Sequence, residues 1–409
     1  MMTVSSPLRI FAEELPEGWQ ILPFEAMLSE PVRNGIYKSR GFHGRGTRVV
    51  NMGEIFGFDF ISGQEMKRVE LTEVEERKSG LKDGDLLFAR RSLVLEGAGK
   101  CSLVVNPPEA LTFESSIIRA RPNREIADPR FLFYLFTSPL GRAIVASIAT
   151  RTAVSGIRGS DLRQVGLPLP ALPEQRRIAG ILSTYDELIE NSQRRIRILE
   201  SMARTLYREW FVHFRFPGHE IHHRVASPLG DIPKGWDVGR LDDVLVLQRG
   251  FDLPRAVRVE GDVPIYAATG ITGFHNEAKV EAPGVVTGRS GTIGDVLYVQ
   301  EDFWPLNTTL WVKEFPKSEP LYGYFVLSSF DLKQFNSGAA VPTLNRNDIH
   351  GLDTLIPPRE LQMKFQRMAG DMLRQVRALE LKIQNLRRTR DLLLPRLLSG
   401  QLTLDAEAA

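Results

Sequence analysis

Two stretches of the chain carry apolar residues at heptad spacing. From residue 178, Ile178, Tyr185, Leu199 and Leu206 hold one heptad position, and Leu182, Ile189, Ile196, Ala203 and Trp210 hold the position four residues later. Adding 187 to these numbers gives Phe365, Met372, Leu386 and Leu393, then Ala369, Val376, Ile383 and Leu397, with Leu379 opposite the first departure, Ser192. Arg390 is the other departure. A seam of this period predicts two long helices, each able to enter a coiled coil. About forty residues of helix make a rod of roughly 60 Å, too long for one small domain to cover. An intramolecular pair of rods that joins and spaces two globular modules is the economical reading. A helix packed only on its own module is the alternative.

The modules show shorter periods. "SSIIRARP" from Ser115 and "TTLWVKEF" from Thr308 predict strands, each followed by a helical stretch, from Pro129 and from Pro320. The Phe and Tyr of those helices recur at core spacing and read as packing residues. The plan is also written twice. Leu15-Pro16-Glu17-Gly18-Trp19 has the shape of Ile232-Pro233-Lys234-Gly235-Trp236, 217 residues on. The stretch from Thr152 lies without a gap over that from Ala339 at an offset of 187, pairing Asp161 with Asp348, Pro170 with Pro357 and Gln175 with Gln362. "GDLLFARRSLVLEGAGKCSLV" from Gly84 and "GVVTGRSGTIGDVLYV" from Gly284 match more loosely, and both predict neighbouring strands joined by an exposed Gly/Arg loop. The copies share their ends and differ in their middles.

Composition adds bounds. A length of 409 residues suits two or three domains, and 43% hydrophobic with 25% charged residues is ordinary for a globular protein. The single cysteine, Cys101, excludes an internal disulfide and a multi-cysteine zinc site, and reads as a small buried apolar residue. With no basic-then-apolar leader and no apolar run of about 18 residues, a cytoplasmic protein without a membrane span is expected. Fifty-two basic against fifty acidic residues leave a net charge of +2, so a nucleic-acid surface has to come from local clustering.

Catalytic chemistry is sparse. Asn106-Pro107-Pro108-Glu109 has the outline of the turn with which amino-methylating DNA methyltransferases hold a flipped base, but Glu109 stands where that turn needs an aromatic. No glycine-rich cofactor loop precedes it, and a turn between strands is favoured. "GRSGTIGD" from Gly288 lacks the Gly-Lys-Ser/Thr ending of a phosphate loop and reads as a hairpin loop. His219, His222 and His223 lie in a Pro/Gly-marked linker far from Cys101, a poor metal set. No cofactor and no catalytic residue is assigned.

The arrangement of Gly-Trp opening, variable module, exit with Pro168, Pro170, Glu174 and Gln175, long helix, second opening, second module and closing "LLPRLLSG" at 393–400 resembles the DNA specificity subunit of type I restriction-modification systems. The second exit departs from the pattern, since Arg359-Glu360-Leu361-Gln362 replaces the Glu-Gln pair, which puts its local cap in question. The resemblance covers nearly the whole chain. It implies an α+β fold: two mixed α/β target-recognition domains in pseudo-two-fold arrangement, joined and spaced by two long antiparallel coiled-coil helices. The expected boundaries are 1–170 and 217–356 for the domains, and 171–216 and 357–409 for the helical regions. It further implies a non-catalytic subunit that reads a split, asymmetric site on double-stranded DNA and docks two methyltransferase (modification) subunits, which restriction subunits then join. A stand-alone DNA methyltransferase and a coiled-coil scaffold without a DNA role are the competing readings.

Arginine is the usual reader of guanine O6 and N7 and a common phosphate contact, so basic loops are the first candidates for DNA contact. In the first module these are Arg45, Arg48, Arg90, Arg91, Arg151 and Arg158; in the second, Lys279, Arg289, Ser290, Asn345 and Arg346.

Overall fold

The computed structural model of the chain describes residues 15–150, 155–398 and 402. It divides into two units, residues 1–190 with 384–409 and residues 191–383. In the first unit the elements run β1 (Gln20–Pro23), β2 (Leu28–Asn34), β3 (His43–Val50), α1 (Met52–Gly57), β4 (Phe60–Ile61), β5 (Arg68–Val69), α2 (Glu73–Ser79), β6 (Leu86–Ala89) and β7 (Arg91–Ser92). They continue with β8 (Cys101–Val104), β9 (Leu111–Phe113), β10 (Ile117–Pro122), α3 (Pro129–Thr137), α4 (Pro139–Ser147), β11 (Ser155–Gly156), α5 (Gly159–Leu162), β12 (Gly166–Leu169) and the long helix α6 (Leu172–Tyr207), whose residues from 191 on belong to the second unit. The second unit holds β13 (Arg224–Ser227), β14 (Gly230–Pro233), β15 (Asp237–Arg240), α7 (Leu241–Val244), β16 (Val246–Arg249), β17 (Val263–Ala267), β18 (Gly270–His275) and β19 (Gly284–Gly288). It closes with β20 (Val296–Val299), β21 (Trp304–Pro305), β22 (Thr309–Glu314), α8 (Pro320–Ser329), α9 (Arg346–His350), β23 (Asp353–Ile356) and the long helix α10 (Arg359–Leu398), whose residues from 384 on belong to the first unit.

The predicted repeat is present down to strand register. The opening and exit segments pair antiparallel in both units, Gln20 with Leu169 in β1–β12 and Asp237 with Ile356 in β15–β23, which reproduces both sequence offsets at once. The main sheets have the orders β2-β10-β6-β8-β4 and β16-β22-β19-β20. Each unit adds a three-stranded sheet, β5-β3-β9 and β18-β17-β21, in which β3–β9 and β17–β21 run parallel. The middles that differ in sequence therefore share the order of four main-sheet strands and of the three-stranded sheet, with β4 an addition of the first unit. Strand order follows the placing of buried positions, which many residue choices satisfy, so it outlasts recognisable identity.

The Gly-Trp openings are turns. Trp19 N–H donates to Pro16 O at 3.1 Å and Trp236 N–H to Pro233 O at 3.2 Å, with Gly18 and Gly235 at φ +83° and +93°. A positive φ at the third position of a turn is the reason for glycine there. Both tryptophans are buried: Trp19 meets Phe131 edge-on at 6.3 Å, and Trp236 lies among Phe211, Phe214 and Phe216. They are core residues. The segment leading to the second opening, expected as a plain linker, carries the hairpin β13–β14.

Each unit takes the beginning of one long helix and the end of the other. In the first core Ile178, Ala179 and Leu182 of α6 join Leu394, Leu397 and Leu398 of α10. In the second Ala203 and Tyr207 of α6, with Trp210 in the π-helical turn Arg208–Val212, join Leu361, Phe365 and Ala369. The two helices thus run antiparallel within each unit. One departure from the seam is explained: Arg390 donates to Asp186, which also accepts from Tyr134 Oη at 2.6 Å.

The exits carry a matched clamp. Gln175 is fully buried; its Oε1 accepts from Asp128 N–H at 2.9 Å, and its Nε2 donates to Pro170 O at 2.8 Å and Ile126 O at 3.1 Å. Gln362 does the same, accepting from Glu319 N–H at 2.9 Å and donating to Pro357 O at 2.8 Å and Lys317 O at 3.1 Å. Asp128 and Glu319 are the residues just before α3 and α8, so each glutamine ties a helix start to the exit loop. The second exit, divergent in sequence, keeps the glutamine that does this work.

Candidate nucleic-acid interface

The register of the main sheets places two arginines at one position. Ala89 of β6 faces Ile117 of β10, and Gly288 of β19 faces Thr309 of β22. The next residues are Arg90 and Arg289. Arg90 N–H donates to Ser116 O at 2.8 Å and Arg289 N–H to Thr308 O, also at 2.8 Å. Each arginine's own carbonyl then accepts from the returning exit segment, from Ile157 N–H at 3.0 Å and from Leu344 N–H at 2.8 Å. The side chains are tethered alike: Arg90 Nη1 lies 3.5 Å from Ser115 O, and Arg289 Nε donates to Asn307 O at 2.9 Å.

Both arginines are half-buried, and among the described residues neither has a carboxylate at ion-pair distance. A partly desolvated cation fixed at its root, with most of its donors free, suits an anion or a guanine edge. The corner gathers further candidates. Arg91 faces Gly156, and Ser290 bridges to Thr343. Arg158 and Asn345 are the residues at the starts of α5 and α9, where Asn345 accepts from Asn347 N–H at 3.1 Å. Arg346 is exposed and donates to Leu247 O at 3.2 Å. Arg151 lies outside the described residues.

The remaining candidates are engaged internally. Arg45 Nε lies 2.6 Å from Glu70, and Arg48 Nε lies 2.6 Å from Glu109, which also takes Arg68 at 2.9 Å. Hydrogen bonding from Arg68, helped by the charge of Arg48, holds the Glu109 carboxyl below the usual carboxylate range. The Asn-Pro-Pro-Glu stretch is therefore a turn between β8 and β9 whose acid pins two arginines. Lys279 pairs with Glu277 and sits 4.9 Å above the Trp304 ring. "GRSGTIGD" is the hairpin loop between β19 and β20. Cys101 is buried, and among the described residues no group of His, Cys, Asp or Glu is placed to hold a metal. No helix among them is long and apolar enough to cross a membrane.

Sequence reasoning did not find the carbonyls that hold the arginines. Their signal is the pair Ser115-Ser116 and Asn307-Thr308 just before the matched strands β10 and β22, at an offset of 192 that neither flanking offset predicts.

Fold and site together define a duplicated protein: two like α/β modules and two long helices, each module holding an equivalent tethered arginine. The chain belongs to the type I restriction modification DNA specificity domain family, which it matches over residues 53–201 and 233–387. It is 26% identical over 344 residues to the type I restriction enzyme MjaIX specificity subunit of Methanocaldococcus jannaschii, covering 78% of this chain and 79% of that one. It is 28% identical over 187 residues to the EcoKI specificity subunit of Escherichia coli K12, 44% of this chain and 40% of that one. The crystal structure of the type I restriction-modification S subunit from M. genitalium shares its fold, with a TM-score of 0.64 at 16% identity over 98% of this chain and 99% of that one. These likenesses support neither the methyltransferase nor the scaffold reading.

Proposed function

We propose that the chain reads a bipartite, asymmetric double-stranded DNA target for a type I restriction-modification complex, without catalytic residues of its own. The observation that carries this reading is the equivalence of Arg90 and Arg289: the same strand position, side chains tethered to the backbone before the partner strand, and no carboxylate at ion-pair distance among the described residues. Like frames with unlike surroundings suit the reading of two different half-sites. The corner residues Arg91, Arg158, Ser290, Asn345 and Arg346 line the same contact, with Arg151 beside them in sequence. Arg45, Arg48 and Lys279, which would first have to leave a carboxylate, act as phosphate contacts at most.

The helical regions 171–216 and 357–409, between and after domains 1–170 and 217–356, would dock two methyltransferase subunits. Restriction subunits then join that assembly, whose chemistry they and the methyltransferase supply, in the cytoplasm. Methylome mapping in cells expressing the chain with its cognate methyltransferase tests this. A split target methylated only when both proteins are present is expected. Methyl transfer by the purified chain alone, or methylation indifferent to the chain, would overturn it.

A further inference from the structure

Beside each tethered arginine the two units place a different residue at the same point of the fold. Gly35 and Gly250 mark it. Their amides donate to Ile117 O at 3.2 Å and Thr309 O at 3.1 Å, and a Cβ would stand 2.1 Å from Phe113 O in one and 2.2 Å from Leu306 O in the other. Only glycine permits that approach. Ile36 and Phe251 follow, donating to Phe113 O at 2.9 Å and Pro305 O at 2.8 Å. The next residue is Tyr37 in the first unit and Asp252 in the second.

Both flank the residue that tethers the arginine. Ser115 donates its N–H to Ile36 O at 2.9 Å while its carbonyl faces Arg90, so Tyr37 and Arg90 stand on either side of Ser115. Asp252 accepts from Asn307 Nδ2, and the Asn307 carbonyl receives Arg289. Tyr37 is 85% exposed although its neighbours are held: Ile36 N–H donates to Phe113 O, and the Lys38 ammonium lies 2.7 Å from Glu75 and 4.8 Å over the Phe42 ring. Asp252 is 69% exposed, with Arg249 at 3.8 Å. Next to the segment that tethers its arginine, the first unit thus carries an exposed ring and the second an acceptor.

We propose that this position selects the base next to the guanine read by the adjacent arginine: the Tyr37 ring packs on a thymine methyl, and the Asp252 carboxylate accepts from a cytosine N4 amine. Aromatic and carboxylate side chains make these contacts in the major groove. The inference rests on the DNA-recognition reading above.

The test is methylome mapping and competition methylation of paired oligonucleotides, using complexes of each variant with the cognate methyltransferase. Tyr37→Ala should lower discrimination about 10-fold at one thymine of one half-site, with Tyr37→Phe retaining it. Asp252→Ala should do so at one cytosine of the other half-site only. Unaltered thermal denaturation establishes that both variants fold. Unchanged discrimination in both, or relaxation of both halves by either substitution, overturns the inference while leaving the function standing. A parent complex that methylates no split sequence overturns the function itself.

Discussion

The two units build one sheet plan around different interiors. In the first, Asp85 is fully buried and takes Arg121 Nε and Nη2 at 2.6 and 2.7 Å and Lys82 N–H at 2.7 Å. Arg121 also donates to Glu30, and the buried Arg119 reaches Glu30 at 2.8 Å and Gly80 O at 3.2 Å. In the second unit the strand position of Asp85 is Gly284, and the Phe303 ring fills the space, 2.3 Å from where a Cβ would stand. One interior is held by paired charges, although the buried Arg119 Nε finds no partner, and the other by an aromatic plug. The fold specifies that the volume be filled and leaves the means open.

Breaking each device should separate the units. Arg121→Ala leaves Asp85 buried without its main partner and should destabilise the first unit by about 3–5 kcal/mol. Phe303→Ala should cost the second unit a similar about 3–5 kcal/mol, through a cavity. Calorimetry resolving two transitions would show a different one falling in each variant; movement of both together would contradict independent interiors.

The glutamine clamps should behave alike in the two units. Gln175→Ala and Gln362→Ala each strand three backbone groups, and about 2–3 kcal/mol of destabilisation is expected from either. Chemical denaturation that finds a cost in one and none in the other would refute the matched role.

Recognition should divide cleanly. Arg90→Ala and Arg289→Ala should each lose about 1–3 kcal/mol of discrimination at one half-site and leave the other intact, read by competition methylation. Equal weakening on all sequences would make the arginine a phosphate anchor.

The smallest effect concerns the anchor beside Tyr37, which the second unit lacks. The Lys38 hydrogen bond first, then the Thr72 backbone N–H, bring the Glu75 carboxyl down to about 2 from an ordinary 4.5. A depressed acid contributes stability above its unfolded pKa and loses it as pH falls through the folded value, here between about 4.5 and about 2. Carboxyl NMR titration should place Glu75 near that lower value in the parent and closer to the ordinary one in Lys38→Ala; an ordinary midpoint in the parent would remove the anchor.

Much of this architecture is legible in the chain itself. The heptad seams predict α6 and α10 because burial along a helix repeats with a fixed period, and Trp19 and Trp236 mark the two openings because a positive φ at the residue preceding each demands glycine. Gln362 is visible opposite Gln175, yet the loss of the neighbouring Glu hides that the clamp persists. Arg90 and Arg289 are both candidates, but nothing in the chain ranks them above Arg45 or Arg48. That ranking depends on Glu70 and Glu109, brought close only by folding.

The sequence alone determined the duplication, the two long helices and the matched opening and exit segments, since these rest on periodicity, local turn chemistry and fixed offsets along one chain. The shared topology of the unlike middles, the ion network at the position that Phe303 fills in the second unit, and the sorting of tethered from engaged arginines were decided by tertiary structure. Strand neighbours and carboxylate partners lie tens of residues apart, and a charge becomes free or engaged only by what packs beside it.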